Sequence, residues 1–335
     1  MSDFIFSINV TLPIFLVMVV GWVLKQIGML DDHFVKVANR FNFEVTLPCM
    51  VFLDLSTVDI RSTFDLKFVL FCAGATSICF WGIWLAVKLF LKNQNLRGAF
   101  VQASFRSSAA VMGLAFINNI YGSSAMGPMM IIGAVPLYNI YSVLVLTFEA
   151  DETDGDAENQ AGGITKNPVA SATHVRDTGK VKEACINVAK NPIIIAIVLG
   201  VLSAWFEIDF PIVVDKTISS ISQLATPLAL IGLGAGYEGR KALAKMKPTL
   251  WASAIKLVIQ PLIFLPIAVA LGFTGEKLIA ILIMLAAPAT PSCYIMAKNM
   301  HNDGELTASI VVVTTLLAAF TLTGWIFLLK SLGLI

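Results

Sequence analysis

Apolar residues occur in this chain as long runs, not at the alternating period of a half-buried strand or the three-to-four period of a surface helix. A helix needs ~20 apolar residues to cross a hydrocarbon core. By that ruler the runs predict spans at 4–25, 35–56, 66–90, 97–120, 125–148, 189–206, 211–236, 248–272, 276–298 and 304–330. Segments 35–56, 97–120 and 276–298 carry too many polar residues to face lipid all round. Polar and irregular backbone is tolerated at membrane depth where it is buried in protein or lines a wet cavity. Between the fifth and sixth runs, Glu149 to Lys190 opens acidic (EADETDGDAENQ) and turns basic (HVRDTGKVKEA). This composition predicts a flexible linker. It divides the chain into 1–148, 149–190 and 191–335.

The two apolar parts repeat one another at a fixed offset. Pro13, Gly21 and Pro48 recur as Pro192, Gly200 and Pro227, each 179 positions on. LPIFLVMVVG stands against NPIIIAIVLG, and VTLPCMVF against LATPLALI. Each half holds five runs, so the second copy enters the bilayer from the opposite side. Inverted repeats of this kind belong to secondary transporters, whose site lies at the midplane between broken helices. The expected fold is an all-α membrane protein of ten transmembrane helices in two inverted five-helix repeats.

Composition agrees with the pattern. Of 335 residues, 57% are hydrophobic and 13% charged, too little charge for a soluble surface of this size. A formal net charge of +1 indicates no nucleic-acid partner. The N-terminus lacks a basic region before its apolar run, so it reads as a first span and not as a cleaved leader. Basic residues are distributed unevenly between alternate loops, sixteen against five, or eleven against five without the linker. The positive-inside rule then places both termini outside and the linker 149–190 in the cytoplasm of a cell that carries the protein in its plasma (inner) membrane. Five cysteines without a CxxC or a Cys/His cluster support neither a disulfide framework nor a metal site.

Two stretches break the apolar pattern. FRSSAAVMGLAFINNIYG (105–122) interrupts one span with small and polar residues; LAAPATPSCYIMAKN (285–299) places Pro288 and Pro291 inside another. A proline removes a backbone donor and clashes with the preceding turn. At the common offset Ala109 falls on Pro288 and Gly113 on Ser292, so the breaks are symmetry mates. Spans 4 and 9 should therefore cross near mid-membrane, with Ser108 beside Pro288. The candidate solute site is Ser107, Ser108, Gly113, Pro288, Ala289 and Thr290, with Arg106 setting an anion preference. Arg106 and Lys256 each lie nine residues past a basic residue at a span's start, Arg97 and Lys247. That is ~14 Å into the membrane. A cation there must be paired, hydrated or functional. Glu44 and Asp54, flanking Pro48, are the available acids for an ion pair or for ion coupling. No nucleophile–base pair, nucleotide motif or metal-ligand spacing appears, so an enzyme is not expected.

TLPCMVF, VMG at 111–113, NPIIIAIVLG, TPLALIGLGAG and APATPSCYIMAKN followed by GELTASIVVVTTLL occur in the order and spacing of one family. Over essentially its whole length the chain resembles the auxin efflux carriers, which include plant PIN carriers and bacterial malate or malonate permeases. The resemblance implies a fold related to the bile acid sodium symporters. Its scaffold domain, from the first two helices of each repeat, would carry a homodimer interface. Its transport domain, from the last three, would hold the solute where two broken helices cross. Ser108 stands where members commonly place asparagine, and the family's proline near that break is absent.

The leading expectation is thus a secondary carrier of small organic anions such as malate, malonate or auxin-like acids, with lipid as its surroundings and no cofactor beyond a coupling Na⁺ or H⁺. The alternatives are a cation-coupled symporter of a neutral or steroidal solute using Glu44 or Asp54, and a non-transporting membrane sensor whose linker binds a partner.

Overall fold

The computed structural model describes residues 2–57, 65–109, 117, 126–150 and 189–335. Every regular element among them is helical. Five helices among these residues are long and apolar enough to cross a membrane: Leu66–Phe90, Met126–Phe148, Ile212–Ala235, Met246–Ala270 and Gly304–Ser331. Leu12–Gln26 and Pro192–Trp205 are shorter apolar helices. The linker expectation falls on 151–188, outside the described residues, as does the second part of the predicted span 97–120 apart from Ile117.

We label the elements in chain order. The first half contains α1 (Ser2–Gln26), α2 (Asp32–Phe41), α3 (Leu47–Ser56), α4 (Leu66–Phe90), α5 (Arg97–Phe105) and α6 (Met126–Phe148). The second contains α7 (Pro192–Trp205), α8 (Ile212–Ser222), α9 (Ala225–Ala235), α10 (Gly239–Ala244), α11 (Met246–Ala254), α12 (Gln260–Ala270), α13 (Gly275–Ala286), α14 (Ser292–Asn299) and α15 (Gly304–Ser331). Several starts are written in the sequence. Asp31, Asp65 and Asp303 accept the N–H three residues on, and Asn191 accepts from Ile193 ahead of Pro192. These side chains satisfy amides that a helix start leaves unpaired.

Proline explains most interruptions. Pro48 and Pro261 each follow a π-helical turn, Asn42–Thr46 and Ile255–Ile259. The proline ring clashes with the carbonyl four residues back, and the wider turn relieves it. The Leu257 carbonyl, four before Pro261, instead accepts the Trp325 indole N–H at 3.0 Å. Pro227, the repeat mate of Pro48, follows the gap between α8 and α9. Spans predicted as single helices at 35–56, 211–236 and 248–272 are therefore compound.

The packing falls into two groups. In one, α1 lies on α9 and α7 lies on α3. Both contacts turn on glycine. A Cβ on Gly21 would collide with the backbone of Ile231, and one on Gly200 with the backbone of Phe52. Gly21 and Gly200 are repeat mates, and so are Phe52 and Ile231, again 179 apart. The same close approach is thus made twice, once with each half supplying the glycine. In the other group α4 packs on α5 and α6, and α15 on α11 and α14, while α15 also lies along α1 and so joins the two groups. Phe80 stacks on Tyr141 at 4.4 Å between centroids and meets Phe105 edge-on at 5.2 Å, which fixes the end of α5.

Candidate functional site

Two helices stop at the same place. The helix α5 ends at Phe105, and Arg106 is extended (φ −76°, ψ 129°). Its counterpart α13 ends at Ala286, where Ala287 (φ −64°, ψ 148°) takes the extended conformation favoured before a proline. The chain resumes as α14 at Ser292. The two breaks touch. The Ser108 N–H donates to the Pro288 carbonyl at 2.9 Å, and the Ser107 hydroxyl donates to the Ala287 carbonyl at 3.2 Å. The Ala289 N–H donates to Thr314 Oγ1 at 3.1 Å, and the Thr290 and Ser292 hydroxyls lie 3.1 Å apart. Carbonyls and amides that would pair inside a continuous helix are therefore paired between helices, as burial requires.

A cavity of about 30 Å³ lies at this junction. Arg106, Ser107, Ser108 and Thr290 of the expected site line it, and so does Asp54. Met50, Val51, Ala109, Val135, Tyr138, Asn139 and Ser292 complete its wall. Its volume admits about one water molecule. Pro288 and Ala289, also of the expected site, do not line it. Gly113 lies outside the described residues.

Arg106 is 5% exposed and is held by neutral groups. Its guanidinium donates to Asn139 Oδ1 at 2.8 Å, to Met296 Sδ at 2.7 Å and, at 3.5 Å, to Ser142 Oγ. Among the described residues no carboxylate stands within ion-pair distance of it, although Asp54 lines the same cavity. Lys256 is fully buried and does not reach the cavity. Its ammonium donates to the Phe105 carbonyl at 3.1 Å and approaches Gln260 Oε1 at 3.5 Å. Glu44 lies away from the junction, is exposed, and pairs with Arg40 at 2.9 Å.

Glu44 belongs instead to a second, larger cavity of about 930 Å³. Its wall is charged, with Asp32, Lys36, Arg40, Glu238, Lys298 and Glu305, and its floor is Asn39 and Tyr294. The Asn39 side-chain amide donates to the Tyr294 hydroxyl at 3.4 Å. Ser292 lines the small cavity and Tyr294 the large one, so under one turn of α14 separates the two. Among the described residues no group of three or more His, Cys, Asp or Glu could hold a metal ion.

The sequence reading missed Tyr138, Asn139 and Met296. Asn139 had a signal, as the one amide side chain between Pro136 and the end of its apolar run. Met296 had none, because a methionine in an apolar helix reads as packing.

Apolar helices of spanning length, with a polar junction of broken helices buried among them, define an integral membrane protein. Residues 6–326 match the family described as membrane transport protein. The chain belongs to that family, the auxin efflux carrier family, as its motifs indicated. A "Putative malonate transporter" of Rhizobium meliloti is 22% identical over 327 residues, 96% of each chain. An "Uncharacterized transporter" of Methanothermobacter thermautotrophicus is 22% identical over 96% of this chain and 98% of its own. The "Uncharacterized transporter YfdV" of Escherichia coli is 21% identical over 96% and 97%.

Proposed function

We propose that the chain is a secondary carrier of small organic anions, dicarboxylates foremost, that binds its solute where α5 and α13–α14 break. The observation that carries this reading is Arg106: a buried cation in the cavity wall, held by neutral groups that orient it without discharging it. A charge so placed costs several kcal/mol unless something balances it. A bound carboxylate would do so, with the Ser107, Ser108 and Thr290 hydroxyls as further donors. The name given to the Rhizobium meliloti relative supports a dicarboxylate.

In this reading residues 1–148 and 191–335 are inverted repeats of five spans each, both termini lie outside, and 149–190 is a cytoplasmic linker. The paired glycine contacts support the repeat. The group built on α1, α3, α7 and α9 is the scaffold and homodimer interface. The group around the breaks is the moving domain. The large charged cavity is then the route from the cytoplasm to the site. Transport involves no covalent chemistry. Asp54, in the same wall as Arg106, is the group we assign to proton coupling. Its position also favours a second reading, a cation-coupled symporter of a neutral solute.

Purified protein in liposomes tests both. Radiolabelled malonate should accumulate, and Arg106→Gln should cut uptake at least about tenfold, the loss of one charged hydrogen-bond partner, while thermal unfolding stays close to wild type. Unchanged uptake in that variant, or no malonate uptake under any gradient, would overturn the anion assignment. Asp54→Asn should remove the dependence on a pH gradient. Uptake of a neutral solute, unaffected by Arg106→Gln, would establish the second reading.

A further inference from the structure

The C-terminal end of a helix leaves carbonyls without partners and carries partial negative charge. At the end of α5 this is an electrostatic liability. Its last carbonyls lie directly behind Arg106, next to a cavity that we assign to an anion. Ordinary helix ends turn these groups to water, but Ser104 and Phe105 are buried.

Two side chains of one neighbouring helix resolve this. Lys256 donates to the Phe105 carbonyl at 3.1 Å, and the Gln260 amide donates to the Ser104 carbonyl at 2.8 Å. Lys256 sits inside the π-helical turn Ile255–Ile259, and Gln260 directly follows it. The wider turn, imposed by Pro261, aims both toward the end of α5. Lys256 is fully buried and Gln260 is 3% exposed, so solvent does not screen the contact. The oxygens within hydrogen-bond distance of the ammonium, Phe105 O and Gln260 Oε1, are both neutral.

We propose that Lys256, with Gln260, is a positioning residue for the solute site. It caps the negative end of the broken helix and sets a second positive charge behind Arg106. The cap holds the extended turn 106–108 in place. The charge turns the field of the α5 end from repelling an anion to attracting one. The electrostatic half of the proposal rests on the anion-carrier reading; the cap does not.

The test separates the two in lipid nanodiscs and liposomes. Amide hydrogen exchange is followed at Arg106 and Ser108, whose N–H groups bond the Gln102 and Pro288 carbonyls. Lys256→Met should speed exchange there at least about tenfold, as expected when a charged hydrogen bond is lost, with exchange in α15 unchanged. Gln260→Leu should do the same to a smaller extent, and decides the cap if Lys256→Met does not fold. Lys256→Arg should restore protection. Lys256→Gln keeps a donor but no charge, so it should keep much of the protection yet raise the malonate KM at least about tenfold. Wild-type exchange in both Lys256→Met and Gln260→Leu would overturn the cap. A malonate KM no higher in Lys256→Gln than in Lys256→Arg would overturn the charge. If wild-type protein takes up no malonate, the carrier reading and the charge role fall together, and exchange alone decides the cap.

Discussion

The glycine contacts and the broken-helix junction are both places where helices meet at backbone distance, and they answer opposite problems. At Gly21–Ile231 and Gly200–Phe52 the backbone hydrogen bonds stay inside each helix, and only size limits the approach. Small residues let helices associate in lipid through close packing. At the junction the helices stop, and backbone groups find partners on other chain segments. The first contact should therefore respond to volume and the second to hydrogen-bonding capacity and charge.

The largest effect expected from this contrast lies at the glycines. Gly21→Val and Gly200→Val should each destabilise by about 3 kcal/mol, since a side chain there must displace backbone. Gly82→Val, where a Cβ meets nothing within 4 Å, should be nearly neutral. Thermal unfolding in detergent measures all three. Equal losses at the first two would sharpen the symmetry, and an equal loss at Gly82 would break the argument.

A smaller loss is expected at the junction. Asn139→Leu leaves the Arg106 guanidinium short of its 2.8 Å partner and should cost about 2 kcal/mol together with most malonate uptake. Ser107→Ala removes a neutral hydrogen bond and should cost about 1 kcal/mol or less. If the two cost the same, charge is not what the junction is built around.

The Asn39–Tyr294 floor should matter less for stability and more for access. Its hydrogen bond is long, so Tyr294→Phe should change unfolding by under about 1 kcal/mol. Tyr294→Ala should open the way from the large cavity to Ser292. In a cysteine-free variant, Ser292→Cys should then react several-fold faster with a small thiol reagent. Unaltered labelling would mean that the two cavities join elsewhere.

The smallest effect concerns pH. A hydrogen bond from Lys277, and another from the Phe68 amide, hold the Asp65 carboxyl below its usual range. A lowered carboxylate contributes stability above its unfolded pKa of ~4 and loses it as pH falls through the folded value. The pair is partly exposed, so the contribution should be under about 1 kcal/mol. Asp65→Asn should lower the unfolding temperature slightly at pH 7 and not at pH 3. A larger effect at the acid end would contradict the assignment.

Much of this was legible in the chain because its causes are local or periodic. Run length foresaw long apolar helices, five of them of spanning length among the described residues, and Pro288 with Pro291 foresaw the stop after α13. The fixed offset paired Gly21 with Gly200 before their contacts were known. Arg106, Ser107, Ser108 and Thr290, grouped in the sequence because the repeat superposes two breaks, line one cavity. Other features depend on which helices become neighbours. Glu44 and Asp54 look equivalent around Pro48, yet one joins the charged cavity beside Arg40 and the other the wall beside Arg106. Lys256 looked like half of an ion pair, and its partner is a backbone carbonyl. Sequence determined where long apolar helices form and where prolines strain them, since backbone hydrogen bonding and proline sterics act within a few residues. Tertiary structure alone decided which groups meet the freed carbonyls and the buried cations, because those partners come from helices up to 190 positions apart, as Arg106 and Met296 are.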